Sequence, residues 1–195
     1  MRSMRTILQM LGLTVALSAC AMQPLPPSAT LPRDAVSGGS DPMRSAILAS
    51  AYVFGSPDSA TPQARARAAA MVEYMAADYR WNPRWSEFTP IIGGELDASR
   101  AELRRALAVA PTASPQAVVS GLYSASRLIA EGNSSGARAS LDPEVFTAPD
   151  TTLLRLAALP SLPRTRSATS LAERELHRID NQNHFNGGGD SGAHP

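Results

Sequence analysis

The sequence contains no lysine, and its only cysteine is Cys20. All 18 basic residues are therefore arginines, so that a lysine Schiff base and a lysine general base are both excluded. With a single cysteine, the chain cannot form an internal disulfide or a metal site built from several cysteines. The sequence therefore predicts a fold that is stabilised by side-chain packing alone.

An excess of charge of one sign is also missing. The whole chain carries a formal net charge of +1. Two arginines and no acidic residue lie within the first 19 positions, so the remaining 176 of the 195 residues carry a net charge near −1. A near-neutral domain has no long-range field that would attract nucleic acid, and we exclude that class of partner. The remaining length is sufficient for one domain with its own core.

The N-terminus has the composition of a secretory signal peptide. Arg2 and Arg5 give it a positive start, and an uncharged run from Thr6 to Leu17 follows. This run is shorter than the roughly 20 residues that a helix needs to span a membrane. Small residues then precede Cys20, as they do before a signal-peptide cleavage site.

The residues Leu17-Ser18-Ala19-Cys20 resemble the lipobox of bacterial lipoproteins. The resemblance implies that residues 1–19 are removed and that Cys20 is joined to diacylglycerol as the new N-terminus. Two or three acyl chains would then anchor the protein in the lipid bilayer, since one chain alone binds only marginally. Ala21 implies transfer to the outer membrane of a two-membrane bacterium, with the domain facing the periplasm. The alternative is an ordinary signal peptide with an incidental cysteine.

Residues 20–40 are rich in proline, glycine and serine, which predicts a disordered tether. Proline-rich segments are extended, and about twenty such residues could hold a domain up to ~60 Å from the membrane. The helical domain is expected over residues 41–182. The tail over residues 183–195 is expected to be disordered because it has too little apolar content to pack.

Helix starts recur along residues 41–182. A capping side chain precedes proline at four places. The capping oxygen accepts an orphan backbone N–H of the first turn, and proline suits the first helical position because an N–H there would be unpaired. The four pairs are Asp41-Pro42, Thr61-Pro62, Ser114-Pro115 and Asp142-Pro143. Apolar residues follow these starts at intervals of three and four, and no stretch alternates as a strand would.

Three further features complete the prediction of helices. Ser99 and Glu102 have the spacing of a capping box at a helix start. A short buried helix is expected around the leucines from Leu153 to Ala157, and a last helix from about Ser167 to Asn181. The sequence as a whole predicts an all-α bundle of about six helices.

Aromatic residues are scarce at 5% of the chain, and five of the ten lie between Tyr74 and Phe88. Aromatic rings interleaved with arginine suit sugar faces, peptides or the hot spot of a partner protein. Asn82-Pro83 is expected to break the helix and to place both tryptophans on a loop. The candidate binding surface consists of Tyr79, Arg80, Trp81, Arg84, Trp85 and Phe88. The alternative is that these rings are core anchors of a domain that has few others.

The last helix carries a weaker candidate site. Glu173, His177, Asp180 and His184 are spaced by four, three and four residues, which places them on one helical face. Carboxylate and imidazole groups at this spacing can hold a divalent metal such as zinc, or pair as an oriented base. The alternative is a solvated polar flank with ordinary pairing along the helix.

Two glycines, Gly93 and Gly94, favour a hinge or a tight turn, since no phosphate-loop residues follow them. No serine lies in a Gly-x-Ser-x-Gly elbow or beside a histidine. No cofactor is indicated.

The resulting expectation is a membrane-anchored, non-enzymatic interaction or scaffold protein with an envelope protein as its partner. One alternative is a periplasmic ligand- or glycan-binding module that uses the aromatic segment. A second alternative is a metal-dependent hydrolase built on the last helix.

Overall fold

The computed structural model describes residues 27–36 and 41–187 of the chain. The helices of these residues are α1 (Pro42–Gly55), α2 (Pro62–Asp78), α3 (Ile92–Ala106), α4 (Pro115–Ala130), α5 (Ser134–Ala139), α6 (Pro149–Ala157) and α7 (Pro163–Gly187). Within these residues the only β-type pairing is an isolated bridge between Val109 and Phe146. The all-α prediction is confirmed, and the short α5 is the helix that the sequence patterns did not indicate.

Three of the four predicted caps act as expected. The side chains of Asp41, Thr61 and Ser114 each accept a backbone N–H in the first turn of α1, α2 and α4. Local chemistry therefore decides where these helices begin.

The fourth pair, Asp142-Pro143, starts a turn and not a helix. Asp142 does accept the N–H of Glu144 at 2.8 Å. The chain beyond it is diverted, because Thr147 donates its backbone N–H to Ala108 at 2.8 Å and Phe146 is fully buried. Helix α6 begins only at Pro149, and its Leu154 is 71% exposed, so that the expected buried helix is buried on one side only.

The predicted capping box at Ser99 is wrong. Helix α3 already begins at Ile92, and Gly93 and Gly94 form its first turn in place of the expected hinge. Ser99 is buried inside this helix. Glu102 instead reaches another helix, where it accepts the backbone N–H of Thr165 at 2.7 Å and so caps the start of α7.

Both ends of the domain extend further than the sequence predicts. Helix α7 begins at Pro163 and continues to Gly187, so the prediction of disorder is wrong for residues 183–187. Arg178 supports this end by donating to Gln182 at 2.9 Å, one turn further along. Residues 188–195 of the predicted tail lie outside the described residues.

The second extension is an N-terminal strap, residues 27–36, which packs on the bundle. Thr30 and Gln116 exchange hydrogen bonds, with the Thr30 N–H 2.8 Å from the Gln116 Oε1. Asp34 accepts two hydrogen bonds from Arg127, at 2.6 and 2.9 Å. Ala29 and Ala35 are buried. The predicted tether is therefore bound over this stretch, while residues 1–26, with the signal peptide and Cys20, and residues 37–40 lie outside the described residues.

Helix α2 lies at the centre of the arrangement. It contacts α1, α3, α4 and α6, and α7 closes a four-helix ring by packing on both α1 and α3. Twelve of the 17 residues of α2 are buried, and many of them are alanines that let the neighbouring helices approach closely. Ser126 of α4 donates to the carbonyl of Gln63 at 3.0 Å, and the Arg67 guanidinium lies 5.9 Å from the centroid of the Tyr123 ring. A later residue of α2 thus meets an earlier residue of α4, so the two helices are antiparallel.

Two charged residues of α2 are buried, and both are hydrogen-bonded to specific partners. Arg65 donates to the carbonyls of Pro57, Leu156 and Ala157, so it holds the end of α6. Glu73 has a side chain only 4% exposed and pairs with Arg100 and Arg104 of α3. A buried charge without such partners would cost several kcal/mol.

Replacing Glu73→Ala is expected to lower the free energy of unfolding by about 3–5 kcal/mol, because two nearly buried guanidinium groups would face each other without a counter-charge. Chemical denaturation followed by circular dichroism measures this change. The matched control is Asp150→Ala, which removes the partner of the exposed Arg138 and should leave stability unchanged. Equal effects of the two substitutions would contradict this account of α2.

Replacing Gly121→Ala is expected to destabilise the fold by about 1–3 kcal/mol, because the added methyl would lie 2.7 Å from the buried ring of Phe146. Gly94→Ala is the control, since its methyl would meet nothing within 4 Å and alanine is the better helix former. Thermal melts should therefore shift in opposite directions. A neutral result for Gly121→Ala would show that Phe146 does not pack on α4 as described.

Candidate functional site

The predicted binding segment folds around the side chain of Asp78, the last residue of α2. Its Oδ2 accepts a hydrogen bond from Trp85 Nε1 at 3.0 Å and from Asn82 Nδ2 at 3.2 Å. Asn82 also caps the 3-10 helix Pro83–Glu87 by accepting the N–H of Arg84 at 3.1 Å. The expected helix break at Asn82-Pro83 is therefore a closed turn with its polar groups paired.

Two of the candidate surface residues are core residues. Trp85 and Phe88 are each 5% exposed, and their ring centroids lie 4.9 Å apart at a tilt of 48°. Tyr74 is buried beside them on α2, and this burial raises the pKa of its hydroxyl. The alternative interpretation of the aromatic segment is correct for these three rings.

Tyr79 and Arg80 form a cluster with Asp97 of α3. The Tyr79 hydroxyl donates to Asp97 at 2.9 Å, and the Arg80 guanidinium pairs with the same carboxylate at 2.6 Å. The guanidinium also stacks 4.3 Å from the centroid of the Tyr79 ring. Burial, followed by the hydrogen bond to Asp97, raises the pKa of Tyr79 to about 12. This cluster orients the end of α2 on α3.

Gly93 makes the position of Tyr79 possible. A Cβ at Gly93 would lie 2.4 Å from the Tyr79 ring, far inside contact distance. Gly93 is thus explained by close packing between two helices, whereas a Cβ at Gly94 would meet open space. No pattern in the sequence links Gly93 to Tyr79, because the two residues are distant in the chain.

The exposed part of the segment is a shallow groove of about 590 Å³ at this end of the bundle. Its lining includes Tyr79, Trp81, Phe88, Pro90 and Ile92. Trp81 is 49% exposed, and Ile91, next to Pro90, is 61% exposed. The sequence pattern indicated the tryptophan side of this groove and missed the Pro90–Ile92 side, which has no aromatic residue.

Arg84 does not lie over this groove as a free cation. Its guanidinium pairs with the carboxylate of Asp41, which also caps α1. The start of α1 is thereby fixed to the segment that follows α2. Of the six candidate surface residues, Trp81 is the one that presents a large apolar side chain to solvent.

The second candidate site, on α7, is not assembled as a metal centre. No group of three or more His, Cys, Asp and Glu side chains that could hold a metal ion occurs within residues 27–36 and 41–187. Asp180 pairs instead with Arg44 of α1 at 2.8 Å, and this contact lowers the pKa of the Asp180 carboxyl. Asp180 thus acts as a link between α7 and α1, while His177 and His184 are exposed.

No helix of the described residues combines the length and the apolar composition needed to cross a bilayer. No family model, curated protein or solved structure matches this chain.

The two tryptophans are expected to respond differently to substitution. Trp85→Ala should destabilise the fold by about 3–5 kcal/mol, because it removes a buried ring together with one of the hydrogen bonds that Asp78 accepts. Trp81→Ala should change stability by less than about 1 kcal/mol, since half of this side chain is in solvent. Urea denaturation of the two variants compares them directly. Equal losses would mean that Trp81 is also a core residue.

Proposed function

We propose that this chain is a lipid-anchored envelope protein that holds a rigid, non-enzymatic helical domain close to the surface of its membrane. The anchor is Cys20, and the domain lies on the periplasmic side of the outer membrane. The domain contacts an envelope component through the rim of the groove at Trp81. The observation that carries this proposal is the packing of the N-terminal strap on the bundle.

The strap turns the connection to the anchor into a part of the fold. A segment that served only as a loose spacer would need no specific partners, yet Thr30 and Asp34 are both bonded to α4. The segment between the lipid and the first described residue is then residues 20–26. These seven residues span at most about 25 Å when fully extended. The tether between the lipid and the bundle is therefore shorter than the ~60 Å expected from the sequence.

The buried charges of the described residues support a structural and non-enzymatic role. Arg65 binds carbonyls at the end of α6, and Glu73 pairs with two arginines. Each of these groups has its hydrogen-bonding capacity used within the fold. A catalytic acid or base needs instead to face a substrate.

The groove favours a second candidate function, a module that binds a small envelope ligand such as a cell-wall glycan. Its volume of about 590 Å³ and its exposed indole would suit the face of a sugar ring. A ligand of this kind would raise the melting temperature in proportion to its concentration. Titration with soluble cell-wall fragments distinguishes this function, since a contact with the membrane gives no such shift.

The proposal is tested by intact mass spectrometry of the protein extracted from membranes. The mature chain should begin at Cys20 and carry the added mass of diacylglycerol and an acyl group. Cys20→Ala should remain unprocessed or be released from the membrane fraction, while Tyr52→Ala, a change at an exposed residue of α1, should fractionate as the unaltered protein. A mature protein with unmodified Cys20 would overturn the proposal.

A further inference from the structure

We propose that the exposed side chains of Trp81 and Ile91, here called the Trp81 surface, contact the lipid bilayer itself. The end of the bundle that carries them rests against the headgroup layer of the same membrane that holds the acyl chains. This inference rests on the proposed lipid anchor and names the component that the anchored domain contacts. Trp81 and Ile91 are the side chains that enter the interface.

The Trp81 surface lies at the end of the bundle where α2 ends and α4 begins. Because α4 is antiparallel to α2, the C-terminus of α2 and the N-terminus of α4 lie at the same end. Arg104 confirms this placement, since it bonds both Glu73 in the second half of α2 and the carbonyl of Ala113 just before α4. The Trp81 surface follows directly on the C-terminus of α2.

The strap leaves the bundle at this same end. Asp34 is bonded to Arg127 near the end of α4, whereas Thr30 is bonded to Gln116 in its first turn. Followed towards the N-terminus, the strap therefore runs to the end of the bundle that carries the Trp81 surface. The chain leaves for Cys20 from there, with only residues 20–26 before the described part.

The exposed side chains at this end are apolar. A tryptophan that is 49% exposed and an isoleucine that is 61% exposed lie at the end of the bundle towards which the strap runs. An indole has an apolar body and a polar N–H, and it prefers the boundary between lipid tails and water. Two apolar side chains alone bind a bilayer weakly, but a covalent anchor raises their effective concentration at the membrane.

Charge attraction does not carry this contact. The two arginines nearest to Trp81 are already paired, Arg80 with Asp97 and Arg84 with Asp41. The chain after position 19 is also close to neutral. The contact should therefore depend little on ionic strength and on the share of anionic lipid.

The experiment uses the fact that the chain has two tryptophans, one at the proposed interface and one in the core. The full-length lipidated protein, checked by mass spectrometry, is reconstituted into phosphatidylethanolamine–phosphatidylglycerol vesicles with lipids brominated near the headgroup end of the acyl chain. Bromine quenches only indoles that lie close to it. The fluorescence of the unaltered protein minus that of Trp81→Phe gives the signal of Trp81, and Trp81→Phe alone gives that of the buried Trp85.

The signal of Trp81 should shift to the blue and be quenched roughly twofold or more, as expected for an apolar side chain that enters the acyl boundary, while Trp85 is hardly quenched. The double variant Gln116→Ala, Arg127→Ala, which removes both bonds of the strap to α4, should lower the quenching of Trp81. Equal, weak quenching of both tryptophans in lipidated protein would overturn the inference and leave the surface to a protein partner. Protein without the lipid would overturn the proposed function instead.

Discussion

The structure depends on the burial of one alanine-rich helix on nearly every side. Helix α2 meets four other helices, and its small side chains allow their close approach. The same burial obliges its two charges to find partners. Glu73 fixes α3 through two arginines, and Arg65 fixes the end of α6 through carbonyl oxygens. The packing of α2 thus determines where its neighbours lie.

The C-terminal end of α2 differs from its buried, alanine-rich middle. Large aromatic residues gather at the C-terminus, where Asp78 ties the Trp85 indole into a turn and Gly93 makes room for Tyr79. One consequence is an end of the bundle that is well packed inside and apolar at its rim. The N-terminal strap leads from this end along α4, so that the surface and the start of the strap lie at the same end of the bundle.

The sequence predicts those features that local chemistry decides. Asp41, Thr61 and Ser114 are caps because each bonds an N–H within its own first turn. Ser99 and Glu102 also have the spacing of a local cap. Glu102 nevertheless accepts the backbone N–H of Thr165, 63 residues further along the chain, and so caps α7. Trp81 and Trp85 look alike in the sequence, and the contacts of Trp85 with Asp78 and Phe88 in the folded chain are what make it a core residue. The strap was missed because its proline and serine content is also typical of a disordered tether.

The central claim is that the strap is a bound element of the fold, and native-state hydrogen exchange of the full-length protein tests it most directly. Peptides from α2 should exchange most slowly, because its amides are exposed only by global unfolding. Peptides covering residues 29–36 should also be protected, since Thr30 and Ala35 donate their backbone N–H groups to Gln116 and Pro32. Exchange of residues 29–36 at the rate of an unfolded peptide would contradict the account.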